Sequence, residues 1–129
     1  MLLCDDAPSF RALVRYTLAE DPGVVVVGEA GDAEACLRAI AELCPDVVLL
    51  DLSMPGMPGL DAIAAMRDRS PGSRIVALSG FGAAEMAPVA LGRGAHAYVE
   101  KGTGTVAIRD AIRAAAAAPS TTPPDAPGA

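Results

Sequence analysis

The sequence predicts an α/β fold: a doubly wound parallel sheet of five strands with helices on both faces. Three observations lead there. Short runs rich in leucine or β-branched residues alternate five times with longer segments of helical apolar spacing, the pattern of a parallel sheet wrapped by helices. The strand runs are continuously apolar rather than alternating, as strands covered on both faces require. A length of 129 residues with 52% hydrophobic composition suits one domain with a single core.

In chain order, the first strand is expected over Leu2–Cys4 and is short. A helix follows over Pro8–Ala19, with Pro8 in the first turn, where an N–H would have no intrahelical partner. After Pro22-Gly23 a valine run marks a second strand, Val24–Glu29, and a helix spans Asp32–Leu43, stopped by Cys44-Pro45. Val47–Leu50 is the third strand and Leu60–Arg69 the next helix, closed by Pro71-Gly72. Arg74–Leu78 and Ala97–Val99 are the last two strands, followed by helices over Ala83–Arg93, which ends at Gly94, and Thr105–Ala118. Asp6, Asp32 and Thr105 stand where N-caps belong. Residues 119–129 contain no large apolar side chain and cannot offset their ordering entropy by burial, so the domain is expected over 1–118 and a disordered tail or linker over 119–129.

Composition excludes several classes of function. Sixteen acidic against ten basic side chains give a formal charge of -6, which repels phosphate backbones, and two Tyr, two Phe and no Trp offer no base-stacking platform. Direct nucleic-acid binding by this chain is not expected. No apolar stretch is long enough to span a bilayer and the first residues lack the features of a secretion signal, so the expected location is cytoplasmic, without membrane contact. Cys4, Cys36 and Cys44 lack both paired spacing and histidine partners, and are expected to be reduced and buried, with Cys36 and Cys44 sharing a helix face.

In such a fold the strand ends and the loops after them gather at one edge, where ligands bind. That edge is polar here: Asp5 and Asp6 follow the first strand, Asp51 ends the third, Ser79 ends the fourth and Lys101 follows the fifth. Three crowded carboxylates repel one another unless a cation neutralises them, and an all-oxygen donor set with few protein ligands suits Mg2+. With the metal, Lys101 would neutralise a transferring phosphoryl group, Ser79 would donate to one of its oxygens, and Asp51 would attack phosphorus as a carboxylate nucleophile, giving an acyl phosphate. Lys101 is the only lysine, the other nine basic residues being arginine. A compact ammonium suits a small phosphoryl pocket better than a guanidinium fork does.

These residues carry a family resemblance. Asp5-Asp6 after an apolar strand, the run Val47-Val48-Leu49-Leu50-Asp51-Leu52-Ser53-Met54-Pro55-Gly56, Leu78-Ser79-Gly80 and Tyr98-Val99-Glu100-Lys101 occur in the order found in receiver domains of two-component response regulators. The chain resembles that family over nearly everything before the tail. The resemblance implies the strand order 2-1-3-4-5, with Asp51 as phosphoacceptor, Asp5, Asp6 and Asp51 on Mg2+, and Ser53 lending a backbone carbonyl to the metal. It further implies that Ser79 and Lys101 bind the phosphoryl group and that Tyr98 is a switch residue. Implied partners are a histidine kinase or phosphotransfer protein, docked through Phe10 and Leu13 of the first helix, and a homodimer formed on phosphorylation. The output protein or domain is not specified. On this reading the chain is a phosphoacceptor that assists its own phosphorylation and dephosphorylation, not a turnover enzyme, and phosphorylation switches a face around the Ser79–Gly82 loop, the fourth helix, the fifth strand and the fifth helix.

Two departures from the family pattern stand out. Gly102 replaces the proline frequent after the lysine, so that loop is expected to run differently. Phe81 and Ser53 occupy positions that influence water access to the acyl phosphate, and Phe81 is expected to slow hydrolysis. The alternatives are a phosphorylation-independent interaction module of the same fold, or the receiver piece of a longer helix-turn-helix regulator, for which the Lys-Gly-Thr sequence and the Pro/Thr segment speak. A phosphohydrolase with an aspartyl nucleophile would need a second Asp at position 53, where Ser53 stands. Packing is the ordinary role for Phe10, Leu13 and Tyr98, and capping for Asp6. His96, the only histidine, is expected in a loop or at the surface, away from the functional edge.

Overall fold

The computed structural model describes residues 1–80 and 85–117. Strands β1 (Leu2–Cys4), β2 (Gly28–Ala30), β3 (Val47–Asp51), β4 (Arg74–Ser79) and β5 (Ala97–Glu100) alternate with helices α1 (Pro8–Leu18), α2 (Ala33–Leu43), α3 (Gly59–Arg69), α4 (Met86–Gly92) and α5 (Thr105–Ala117). All strand pairs are parallel and the order is β2-β1-β3-β4-β5, as expected.

Side chains along a strand alternate between faces, and each face here builds its own core. Leu2, Cys4, Val48, Leu50, Ile75 and Ala77 pack with Cys36, Ile40, Ile63 and Met66 of α2 and α3 and with Ala90 of α4. Leu3, Val47, Leu49, Val76 and Leu78 pack with Val14 and Leu18 of α1 and Ile108 and Ile112 of α5. Both layers exclude water from the central strands, and each large aliphatic side chain buried this way contributes about 1.5–3 kcal/mol. Gly59 opens α3 against the chain just after β3, where a Cβ would lie 2.4 Å from the Leu52 carbonyl oxygen.

The second strand is shorter than the valine run suggests. Strand Val24–Glu29 was expected, but ladder pairing covers Gly28–Ala30 against Leu2–Cys4, and the run ahead of it is tied at Met1. Upstream, Val27 N–H donates to Met1 O at 2.9 Å and Val25 O accepts from the Met1 ammonium; Val25 is 67% exposed. High β-propensity does not make a strand without a neighbouring backbone to complete the ladder.

Other boundaries move by a residue or a few. Asp32 caps α2, accepting from Ala35 N–H at 2.8 Å. Asp6 does not cap α1: Ala7 precedes the helix, and its N–H donates to Asp5 Oδ1 at 2.8 Å. Thr105 is the first residue of α5 rather than its cap. Cys4 and Cys36 are buried, with burial and the neighbouring Cys36 thiol pushing the Cys4 thiol pKa up. Cys44, expected to be buried on a helix face, is instead the exposed left-handed C-cap of α2. Ala83 and Ala84 of the expected fourth helix, and Ala118 with the expected tail, lie outside the described residues.

Candidate functional site

The parallel register brings the polar residues together. Cys4 stands beside Leu50, so the next residues, Asp5 and Asp51, are neighbours; Asp51 pairs with Leu78, and Ser79 pairs with Glu100, just before Lys101. Asp5 and Asp51 are buried at 3% and 2% exposure, whereas Asp6 is exposed. One carboxylate oxygen from each of the three lies within 4.8 Å of the others.

Lys101 Nζ is shared by two of these carboxylates, at 2.6 Å from Asp5 Oδ2 and 3.1 Å from Asp51 Oδ2. Burial opposes the ammonium, but hydrogen bonding and charge from Asp5 and Asp51 outweigh it, holding the Lys101 pKa above its ordinary value. The other Asp51 oxygen, Oδ1, accepts from Ser53 N–H at 3.0 Å and from Ser53 Oγ at 2.8 Å. Asp51 is thus held at both oxygens, one by the loop that follows it and one by a residue fifty positions away. Arg11 of α1 steadies the loop after β1, donating to Asp5 O at 2.6 Å and to Glu29 Oε1 at 3.0 Å. Arg15 also donates to Glu29, and this bonding, with Arg15 the larger contributor, lowers the Glu29 pKa.

The remaining expected residues fall as follows. Ser79 is half-buried at the end of β4, on the same edge. Tyr98 on β5 is half-buried against the α2–α3 core, and its buried hydroxyl has no hydrogen-bond partner among the described residues. Leu13 is 48% exposed on α1. Phe10 is half-buried, with its ring centroid 4.4 Å from Lys101 Nζ. This contact was not anticipated: the only signal in the sequence is an aromatic residue in the first helical turn after the acidic pair. Phe81 lies outside the described residues. After β5, Lys101–Thr103 form one tight helical turn, and Thr103 Oγ1 donates to Glu100 O at 2.6 Å.

His96 precedes β5, as expected for a loop residue, but it is half-buried and has a structural task. Its N–H donates to Ile75 O at 2.8 Å and its Nδ1 accepts from Ile75 N–H at 3.0 Å. Burial first, then the charges of Arg67 and Arg74, lower its pKa.

The site joins three clustered carboxylates, an all-oxygen donor set suited to a hard divalent cation, with an ammonium at the same edge and one of the carboxylates, Asp51, held at both oxygens. Among the described residues no helix is long and apolar enough to cross a membrane. The sequence model of the response regulator receiver domain matches residues 1–113. The nitrate/nitrite response regulator protein NarL of Escherichia coli is 38% identical over 117 residues, covering 91% of this chain and 54% of NarL. A protein-glutamate methylesterase/protein-glutamine glutaminase of Myxococcus xanthus is 36% identical over 97% of this chain and 39% of its own length. This chain therefore spans about half the length, or less, of these curated relatives. Among solved structures, the receiver domain of the NarL-like regulator from Mycobacterium tuberculosis superposes with a TM-score of 0.82 at 36% identity, covering 89% of this chain and 93% of that one. A LuxR-family response regulator from Aurantimonas gives a TM-score of 0.85 at 33% identity, over 96% of this chain and 89% of the other. With the family model matched over residues 1–113 and the fold shared with these solved receiver domains, the chain belongs to the response regulator receiver domain family.

Proposed function

We propose that this domain accepts a phosphoryl group on Asp51 from a histidine kinase or phosphotransfer protein, in the presence of Mg2+, and so passes a two-component signal. One observation carries the reading: the single lysine reaches from the end of β5 into the acidic cluster, between Asp5 Oδ2 and Asp51 Oδ2. A lysine drawn to that position is a ready counter-charge for phosphoryl oxygens. Asp5, Asp6 and Asp51 would hold Mg2+, with the Ser53 carbonyl as a further ligand. The bound metal supplies charge neutralisation at the phosphoryl oxygens.

In the transfer, an Asp51 carboxylate oxygen bonds to phosphorus as the phosphorus–nitrogen bond of the donor phosphohistidine breaks, and the released imidazole nitrogen takes a proton. Lys101 and Ser79 bind the phosphoryl oxygens. Ser53 fixes Asp51 Oδ1 through its N–H and hydroxyl, which limits rotation of the attacking group. Kinase docking falls to the exposed face of α1 around Leu13. The switched face comprises α4, β5 and α5, and the Tyr98 hydroxyl, buried without a hydrogen-bond partner among the described residues, is a group whose environment phosphorylation would change.

A second reading concerns the output. Because the chain covers about half of NarL, it also fits the receiver part of a longer regulator whose remaining domain acts on the signal.

The test treats the folded chain and an Asp51→Ala variant with acetyl phosphate, with and without Mg2+, and compares intact masses. A Mg2+-dependent phosphoryl adduct on the parent alone supports the reading. No adduct on the folded parent with either acetyl phosphate or phosphorylated kinase overturns it in favour of a phosphorylation-independent module.

A further inference from the structure

Lys101 Nζ has neighbours of two kinds: the carboxylates of Asp5 and Asp51, and the ring of Phe10, 4.4 Å from Nζ to the centroid. They differ in what a metal can take from them. Both carboxylates belong to the acidic cluster, so a divalent cation held there would draw on the same two groups that hold the ammonium. The aromatic ring is no ligand for a hard cation, yet its face attracts an ammonium. It is therefore the contact that metal binding would leave intact. Phe10 is also well placed to stay put: it lies in the first turn of α1 and packs against the core layer that includes Leu3, Val14 and Leu78.

We propose that Phe10 is a positioning residue for Lys101: its ring holds the ammonium at the edge of the site while the carboxylates are given over to the metal, so that Lys101 meets the incoming phosphoryl oxygens from a fixed place. This rests on the phosphoacceptor reading for what the site does, but the contact itself can be tested without any chemistry at Asp51. It also separates Phe10 from kinase docking, since the ring faces Lys101.

The experiment exploits the single lysine. Selective 13C-lysine labelling yields one set of side-chain signals, all from Lys101. In the parent, the terminal methylene protons are displaced by the ring current of Phe10, and the displacement persists when Mg2+ is added. F10L, which keeps apolar bulk without a π-face, abolishes the displacement; F10Y restores it. With acetyl phosphate at saturating Mg2+, F10L forms the Asp51 adduct about two- to fivefold more slowly, the factor expected from a partly exposed cation–π contact, and F10Y recovers the rate. A small-molecule donor has no docking surface to lose, so slowing cannot arise from weakened partner binding. Lys101 signals that are the same in the parent and F10L with Mg2+ present overturn the proposal, as does F10Y matching F10L in rate while folding normally. If the parent forms no adduct with either acetyl phosphate or phosphorylated kinase but the ring-current shift persists with Mg2+, the phosphoacceptor reading falls while the Phe10–Lys101 contact stands.

Discussion

Replacing Lys101 with Met removes the one ammonium from the acidic cluster while keeping a long unbranched side chain. In the parent it lies 2.6 Å from Asp5 Oδ2 and 3.1 Å from Asp51 Oδ2, and the side chains of Asp5, Asp51 and Lys101 are 4%, 2% and 24% exposed. Breaking a fully buried ion pair by removing one partner costs about 3–5 kcal/mol. Lys101 is a quarter exposed, which brings the expected loss to about 2–3 kcal/mol. With a urea dependence of about 1.5 kcal/mol per molar, the unfolding midpoint should fall by about 1.3–2 M in the absence of metal. Added Mg2+ should then recover more stability in the variant than in the parent, because no ammonium competes for Asp5 Oδ2. We expect Mg2+ affinity to rise about tenfold, which corresponds to about 1.4 kcal/mol. Urea titrations followed by circular dichroism, with EDTA and with excess Mg2+, measure both quantities. A variant that unfolds at the parental midpoint in EDTA, or binds Mg2+ no more tightly, would refute the idea that the ammonium neutralises the metal-free site.

Three further outcomes are expected from urea unfolding. His96 has a lowered pKa, so it binds fewer protons folded than unfolded; its stabilising contribution is complete above about pH 6.5 and is lost as pH falls through the lower folded value. The stability gap between the parent and His96→Gln should therefore shrink between about pH 7.5 and about pH 5, and a gap independent of pH would contradict the role of neutral Nδ1 as acceptor from Ile75 N–H. Gly59→Ala places a Cβ 2.4 Å from Leu52 O and 2.5 Å from Leu52 Cα, both backbone atoms; a loss of about 3 kcal/mol is expected, and an unchanged midpoint would show that the approach relaxes freely. Asp32→Ala removes the cap of α2 and should cost about 1 kcal/mol, most of it recovered by Asp32→Asn.

Much of this architecture was legible because its signals are redundant. In β3 and β4, continuous apolar runs coincide with turn residues on both sides, and parallel topology then requires Asp5, Asp51, Ser79 and Lys101 to share an edge, however far apart they are in the chain. What escaped was whatever depends on a partner in space. Val24–Val27 have the composition of a strand, yet the ladder with β1 runs only through Gly28–Ala30. Asp6 looks like a helix cap, but it is Asp5 that accepts the Ala7 N–H. Cys44-Pro45 marks the end of α2 in the sequence, and Cys44 does take the left-handed cap position with φ 43°, but there it is exposed rather than buried beside Cys36. The Phe10 contact with Lys101 joins residues ninety-one positions apart, and no local spacing reports it.

The sheet order also bears on how the domain is put together. From β2-β1-β3-β4-β5 it follows that β1 and β2 pair first along the chain, and that each later strand joins an edge that is still free; no ladder has to open to admit a latecomer. Strands can be added in the order in which a ribosome delivers them. The outermost and last of these, β5, is the one that carries Lys101 at its end. Until it docks, Asp5, just after β1, and Asp51, at the end of β3, lack their ammonium, so a nascent chain that has emerged only as far as Gly94 holds the carboxylates but not the lysine that pairs with them. Completion of the sheet and electrical completion of the site are one event, set by the arrival of its final strand.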